Sequence, residues 1–185
     1  MKEKKMAALL RPAAVLFLTC LLVTLAVAGT NAVFAERIAL QEAATLSASM
    51  RKVLAADTYE TVHTSAAGEP DAYRGLDTGG GTVGYILITS ENGYGGAVSV
   101  MTAIQDEKIL AVSILDVSSE TPGLGQNAAK PDFTNQYTGL TSAPTVVKSG
   151  AGTGEIDALT GATITSKAVT RAIEAAFALY EEVGN

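Results

Sequence analysis

The chain is short of the residues that most enzymes use for chemistry. It has one cysteine, one histidine and no tryptophan in 185 residues. Cys20 lies inside an apolar run. A lone cysteine excludes an intrachain disulfide, a thiolate metal cluster and an iron–sulfur centre. Thr19 before it and apolar residues after it disfavour a lipid-acceptor role, so it reads as a small buried apolar residue. His63 sits in "YETVHT" with no second ligand nearby, which reads as a solvent-facing strand position. No Ser-His-Asp, Cys-His, H-E-x-x-H or paired-acid constellation is present. Neither a catalytic residue nor a metal ligand set is therefore expected. Basic charge is also scarce and unevenly placed. Residues 1–35 hold four basic residues against one acidic, a net of +3, and the remainder holds 9 basic and 18 acidic, a net of −9. An acidic body lacks the basic footprint that phosphate backbones require, so no nucleic-acid partner is expected.

What the sequence does have, first, is an uncharged stretch. "PAAVLFLTCLLVTLAVAGTNAVFA", Pro12 to Ala35, runs 24 residues without charge. A helix needs roughly 20 to cross the hydrocarbon core. Basic residues flank only its N-terminal side, which predicts a cytoplasmic N-terminus and an extracytoplasmic body. The rival reading is a cleaved signal peptide, because "VFA" before Glu36 offers small residues to a peptidase. A signal core, however, is usually about 7–15 residues long. The length favours an uncleaved anchor. The organisation expected is a basic cytoplasmic tail at 1–11, a transmembrane anchor at 12–35, a connecting helix at 36–57 and a globular domain at 58–185.

Within the body, Ile38, Leu40, Ala44, Leu46, Met50 and Leu54 fall at helical spacing. "DTYETVHT" predicts a short strand, and residues 65–82, rich in Gly, Pro, Asp and Ala, predict a loop. "VGYILIT" (83–89), "AVSVMTAIQ" (97–105) and "ILAVSILDV" (109–117) predict three strands separated by the turns "SENGYGG" and "DEK". Such short connections require antiparallel pairing. Short helices are expected near Ala128 and Phe133. "TSKAVTRAIEAAFALYEEV" aligns Val169, Ala172, Ile173, Ala176, Phe177 and Tyr180 on one helical face. The fold class is α+β, an antiparallel sheet flanked by helices, preceded by one N-terminal transmembrane helix. "GGGTVG" (79–84) satisfies G-x-G-x-x-G, but a loop precedes it and a strand follows. The dinucleotide fingerprint needs the opposite context. "GAGTG" (150–154) likewise reads as a turn.

The segment "DALTGATITSK", Asp157 to Lys167, places Thr160, Thr163, Thr165 and Ser166 just before the last helical run. Hydroxyls there make good N-caps, and Asp157 can close an Asx turn. The same helix start offers free N–H groups and partial positive charge to a phosphate. Gly161 and Ala162 leave space around Thr163, and Lys167 adds a cation one turn on. This physics does not choose Thr163 over Thr160, Thr165 or Ser166.

"DALTGAT" resembles the D-x-x-[S/T]-G-A-T signature of proteins that carry covalently bound FMN. "SETPGLGQ" (119–126) contains E-T-P-G-L-G, similar to the flavin-side loop of the G subunit of Rnf electron-transport complexes. "GYGG" (93–96) matches that family too, in the same order along the chain. One departure is that Ser118 and Ser119 stand where many relatives carry a His. The resemblance implies an FMN-binding domain at 58–185, with FMN joined by a flavin transferase through a phosphoester to Thr163. It implies that Glu120, Thr121, Pro122, Gly123, Leu124 and Gly125 form a loop against the flavin ring. Leu124 would pack on the ring face and Thr121 would donate a hydrogen bond. Thr160, Gly161, Ala162, Thr165, Ser166 and Lys167 would surround the phosphate end, the hydroxyls beside Thr163 capping the helix. The implied role is a membrane-anchored redox subunit of an Rnf-like ion-translocating ferredoxin:NAD oxidoreductase, with other membrane subunits as partners. Substrate turnover would belong to the assembly, making the chain an electron-transfer subunit. Two alternatives stay open: a stand-alone exported flavoprotein or related quinone-reductase subunit, and a flavin-free anchored binding module.

Overall fold

In the computed structural model, branched apolar residues in consecutive segments pair as neighbouring antiparallel strands. Residues 2–184 are described, with side chains from residue 12 onward, so the side chains of the expected basic tail at 1–11 lie outside the described residues. The chain forms two compact units, Met1–Ser47 and Ala48–Asn185. Residues 2–47 of the first are helical, as part of a helix α1 that runs from Lys2 to Val53. Its apolar window is long and uncharged enough to cross a membrane, by length and composition. Val15, Leu16, Phe17 and Leu18 project from it with no protein covering them, and Cys20 is exposed on the same helix rather than buried in protein.

The second unit is built on a five-stranded meander. Its strands are β1 (Thr58–Thr64), β2 (Pro70–Leu76), β3 (Thr82–Asn92), β4 (Ala97–Gln105) and β5 (Lys108–Asp116), adjacent in that order. Every pairing is antiparallel. The turn between β4 and β5 places Asp106 and Glu107 at φ of 51° and 62°. Positive φ at both central residues matches the right-handed twist of a two-residue hairpin. Between β5 and the last helix the chain folds a 3-10 turn at Gly125–Ala129 and a short helix α2 at Pro131–Thr134. Helix α3, Thr163–Val183, packs on one face of the sheet. Val98, Val100, Ile109 and Val112 of the sheet bury against Val169, Ala172 and Ile173 of the helix. Ala72, Leu87 and Ile104 continue the layer against Ala176. Phe133 and Tyr137 close one end of the core, their rings meeting edge to face at 5.6 Å. The buried Tyr137 hydroxyl is partnered by Thr170 Oγ1 at 2.9 Å.

Two elements were not expected. Strand β2 lies within the segment read as loop. Its Pro, Asp and Gly content hides the strand, but Gly75 has a packing reason. Gly75 pairs directly with Gly84 of β3. A Cβ on Gly75 would stand 2.8 Å from Leu54 Cδ2, and one on Gly84 would stand 2.7 Å from the Ile104 carbonyl oxygen. The paired glycines form a dent that takes Leu54 just beyond α1, so here glycine marks close approach within a sheet. The second element is a parallel pair, β6 (Thr145–Val147) with β7 (Glu155–Asp157), joined by the expected turn at 150–154.

His63 on β1 is half-buried rather than simply solvent-facing. Its Nδ1 lies 2.6 Å from Asp71 Oδ1. The Asp71 hydrogen bond raises the imidazole pKa, against the opposing effect of desolvation, and the charges of Asp71 and Glu182 add to the rise. A raised folded-state pKa stabilises the fold fully below the ordinary value of about 6.5, and the gain is lost as pH rises through the folded value. NMR titration of the His63 ring is expected to give a pKa above the ordinary value. Asp71→Asn should bring it down; an unchanged titration in that variant would show that the pair does not form.

Candidate cofactor site

The site is organised around a buried carboxylate. Glu120, in the loop after β5, is 2% exposed. Its Oε1 accepts hydrogen bonds from the backbone N–H groups of Tyr94 (2.7 Å) and Gly95 (3.0 Å). Its Oε2 accepts from the Thr165 hydroxyl on α3 at 2.6 Å. Burial pushes the Glu120 pKa up. The Thr165 hydroxyl and the N–H groups of Gly95, Tyr94 and Gly96 outweigh that, and the net shift is downward. The group is thus a satisfied buried carboxylate joining three chain segments.

The glycines of the two Gly-rich motifs are packed against this carboxylate and its neighbour. A Cβ on Gly93 would collide with Glu120 Oε1, one on Gly95 with the Ser119 carbonyl oxygen, and one on Gly125 with Glu120 Oε2. On Gly96 it would stand 2.7 Å from Ser119 Cβ. "GYGG" and "ETPGLG" are therefore two halves of one packed unit. Gly161, at φ 76°, turns the chain into α3, and its α-carbon faces Leu124 closely enough that a Cβ would lie 3.1 Å from Leu124 Cδ2.

The hydroxyls before α3 do not cap it. Ala162 occupies the N-cap and no side chain hydrogen-bonds the first-turn N–H groups. Thr165 is turned to Glu120. Ser166 donates to the Ala162 carbonyl (3.0 Å) and accepts from the Leu159 N–H (2.9 Å). Asp157 closes no Asx turn either. It lies in β7, where its carboxylate accepts from the Ala151 N–H at 2.9 Å and its own N–H donates to Gln136 Oε1 at 2.7 Å. The capping expectation fails at Thr165 and Ser166 because buried partners take their hydroxyls, while Thr160 and Thr163 stay exposed without bonding the helix start. The consequence is a helix terminus without a side-chain cap, an environment that favours an anion.

A cleft of about 600 Å³ opens at this terminus, lined by Tyr94, Glu120, Thr121, Leu124, Gly125, Gly161, Ala162, Thr163, Ile164 and Thr165. Thr163 is the first residue of α3 and is exposed. A second cleft of about 520 Å³ lies on the other side of Leu124, which lines both, and takes in Gly123 and Thr160. Pro122 and Lys167 are exposed and line neither cleft; Ser166 is buried and lines neither. Tyr94 and Ile164 were not among the expected site residues. For Tyr94 the signal was present in "GYGG", as an aromatic residue between glycines. Apolar Leu124 and Ile164, an uncapped helix start and an adjacent exposed hydroxyl together fit a planar ring linked to a phosphate.

These features define an FMN-binding domain, and residues 93–178 match the family model of that description. Over 111 residues the chain is 42% identical to the G subunit of the proton-translocating ferredoxin:NAD(+) oxidoreductase complex of Clostridium ljungdahlii, covering 59% of each chain. Over 167 residues it is 30% identical to the G subunit of the ion-translocating oxidoreductase complex of Vibrio vulnificus, covering 80% of this chain and 77% of that one. The chain belongs to this G-subunit family. It spans only 52–59% of the length of the Clostridium ljungdahlii, Methanosarcina acetivorans and Acetobacterium woodii relatives. Among solved structures, the C subunit of the Na(+)-translocating NADH-quinone reductase of Parabacteroides distasonis matches at 26% identity and a TM-score of 0.50, covering 60% of this chain and 61% of that one. Shewanella oneidensis NqrC shares the fold at a TM-score of 0.52 and 22% identity, over 69% of this chain and 67% of that one.

Removing the central carboxylate should be costly. Glu120→Ala is expected to destabilise the protein by about 2–4 kcal/mol, since it strands buried donors. Because the folded pKa is depressed, the Glu120 contribution is present above about pH 4.3 and is lost as pH falls through the lower folded value. Denaturant unfolding of the full chain in detergent at pH 7 and in the acid range checks both. Glu120→Gln should show a flatter acid limb than the wild type; an unaltered limb would remove the carboxylate from its central place.

Proposed function

We propose that this chain is a membrane-anchored electron carrier with FMN covalently attached to Thr163, serving as a redox subunit of an ion-translocating ferredoxin:NAD oxidoreductase. The observation that carries the attachment is the fate of the hydroxyls. Of Thr160, Thr163, Thr165 and Ser166, Thr163 alone is both exposed and on the wall of the first cleft. Thr165 is engaged by Glu120, Ser166 is buried, and Thr160 faces the neighbouring cleft. A phosphoester on Thr163 would lie beside the uncapped N–H groups of α3, where a helix terminus favours an anion. Lys167, one turn on, adds positive charge.

Bound FMN supplies reversible redox chemistry, while the protein binds, orients and tunes it. Leu124 and Ile164 offer apolar surface to the ring and Thr121 a hydrogen-bond donor, while Gly125 makes room for Glu120 and Gly161 for Leu124. Attachment would be performed by a separate flavin transferase using FAD. The bond from Thr163 Oγ1 to phosphorus replaces the pyrophosphate bond of FAD, AMP leaves and the hydroxyl proton is released. The basic N-terminal flank of the apolar helix supports an extracytoplasmic domain. Membrane subunits of the same assembly are the electron-transfer partners, and ion coupling belongs to the assembly. The likeness to the Parabacteroides distasonis protein supports a second reading, in which the same carrier serves a quinone reductase.

The test is fluorescence of the denatured chain in a gel after co-expression with an active flavin transferase. Denaturation strips a non-covalent flavin. The wild-type band and those of Thr160→Ala, Thr165→Val and Ser166→Ala should fluoresce, and Thr163→Ala should be dark. A bright Thr163→Ala band moves the link to another hydroxyl. A dark wild type ends the covalent reading.

A further inference from the structure

The folded unit from Ala48 onward exposes few large apolar side chains. Those more than two-fifths exposed are Tyr94 (72%), Leu110 (41%), Leu124 (41%) and Ile164 (52%). Three of these four line the first cleft. Leu124 and Ile164 have the reason already given. Tyr94 is the most exposed of the four, and it lies on the cleft wall. Among the described residues its hydroxyl makes no hydrogen bond and its ring no aromatic contact.

Its backbone, by contrast, is held firmly. Glu120 accepts the Tyr94 N–H at 2.7 Å, and Gly93, Gly95 and Gly96 pack against Glu120 and Ser119 too closely for side chains. The Gly93 N–H also closes the turn onto the Gly96 carbonyl at 2.8 Å. A clamped backbone carrying an unpartnered aromatic ring is a preorganised platform. It fixes the point from which the ring projects over the cleft, which removes the backbone share of the ordering cost of binding. Tyr94 is also the sole aromatic residue on the cleft wall, so a planar ring there has one aromatic partner available.

We infer that Tyr94 is the stacking partner of the flavin ring carried at Thr163. It acts as a positioning residue that restricts the ring to the cleft and sets its optical response. The inference rests on the attachment reading above and adds a residue to it. Aromatic faces prefer offset or edge contacts with other π-systems. A phenol within contact distance of an excited flavin transfers an electron to it and takes that electron back, so emission is lost without net chemistry. Phenylalanine keeps the ring contact but is too poor a donor to quench in this way.

The experiment uses the full chain, flavinylated and in detergent, as wild type, Tyr94→Phe and Tyr94→Leu. Denaturing gels first establish equal covalent loading. Native flavin emission per bound flavin should then be low in the wild type and several-fold higher in both variants. Emission anisotropy should stay high in Tyr94→Phe and fall in Tyr94→Leu, where the ring is freed. Iodide quenching should increase only in Tyr94→Leu. If Tyr94→Leu loads poorly, Tyr94→Phe carries the emission test alone. Equal loading with the same native emission in Tyr94→Phe and wild type overturns the Tyr94 inference and leaves the attachment intact. A dark wild-type band on the denaturing gel overturns both.

Discussion

A carboxylate taken out of water must have its charge met by nearby donors, and Glu120 meets this requirement with groups from two distant parts of the chain. Two backbone N–H groups come from the turn after β3, and one hydroxyl comes from the first turn of α3. Each bond to an ionised acceptor is worth more than a neutral one. Their larger consequence is geometric. Losing any one segment leaves a buried charge under-satisfied, so the three segments assemble together. The cleft is the space left between them. Its walls are fixed by the same contacts that keep Glu120 ionised.

Helix α3 ties this arrangement to the core. One face of the helix carries Val169, Ala172, Ile173 and Ala176 against the sheet. Its first turn carries Thr163 and Ile164 outward and Thr165 inward to Glu120. Thr89 Oγ1 adds a bond to the Ala172 carbonyl at 2.7 Å, fixing the helix along its axis. A helix packed along its buried face in this way cannot slide without breaking the apolar layer. The position of the exposed hydroxyl is thereby set by core packing along the helix as well as by the Glu120 contact at its start.

Burial also decides what could be read from the sequence. The three long strands and the last helix follow from apolar periodicity, which reflects burial on one face. Strand β2 could not be read, because Gly75 is small for the sake of Leu54, a contact distant in sequence. The hydroxyl cluster was legible as a helix start but misleading as a set of caps. Local rules give Thr165 and Ser166 capping roles, whereas the fold offers each a buried partner. Glu120 stood inside a legible motif, yet its partners on two other segments are invisible in one dimension. The choice among the hydroxyls of Thr160, Thr163, Thr165 and Ser166 was unresolved by spacing. Their tertiary settings differ: Thr165 and Ser166 are buried and hydrogen-bonded, whereas Thr160 and Thr163 are exposed.

The shape of the cleft bears on why attachment through a bond suits the proposed role. Leu124, Ile164 and Tyr94 remain substantially exposed, so the cleft is shallow at its apolar wall. Affinity from apolar burial scales with the area removed from water, and a shallow wall removes only part of a ring's surface. A cofactor held by that wall alone would exchange with solvent, and on the proposed extracytoplasmic side it would be lost. Deepening the cleft would hold it, at the cost of separating the ring from its electron partners. In the proposed role, a phosphoester at the helix terminus would resolve the conflict. Retention would then fall to one bond beside the α3 dipole, leaving the ring end free to stay near the surface, where transfer to a neighbouring protein is short.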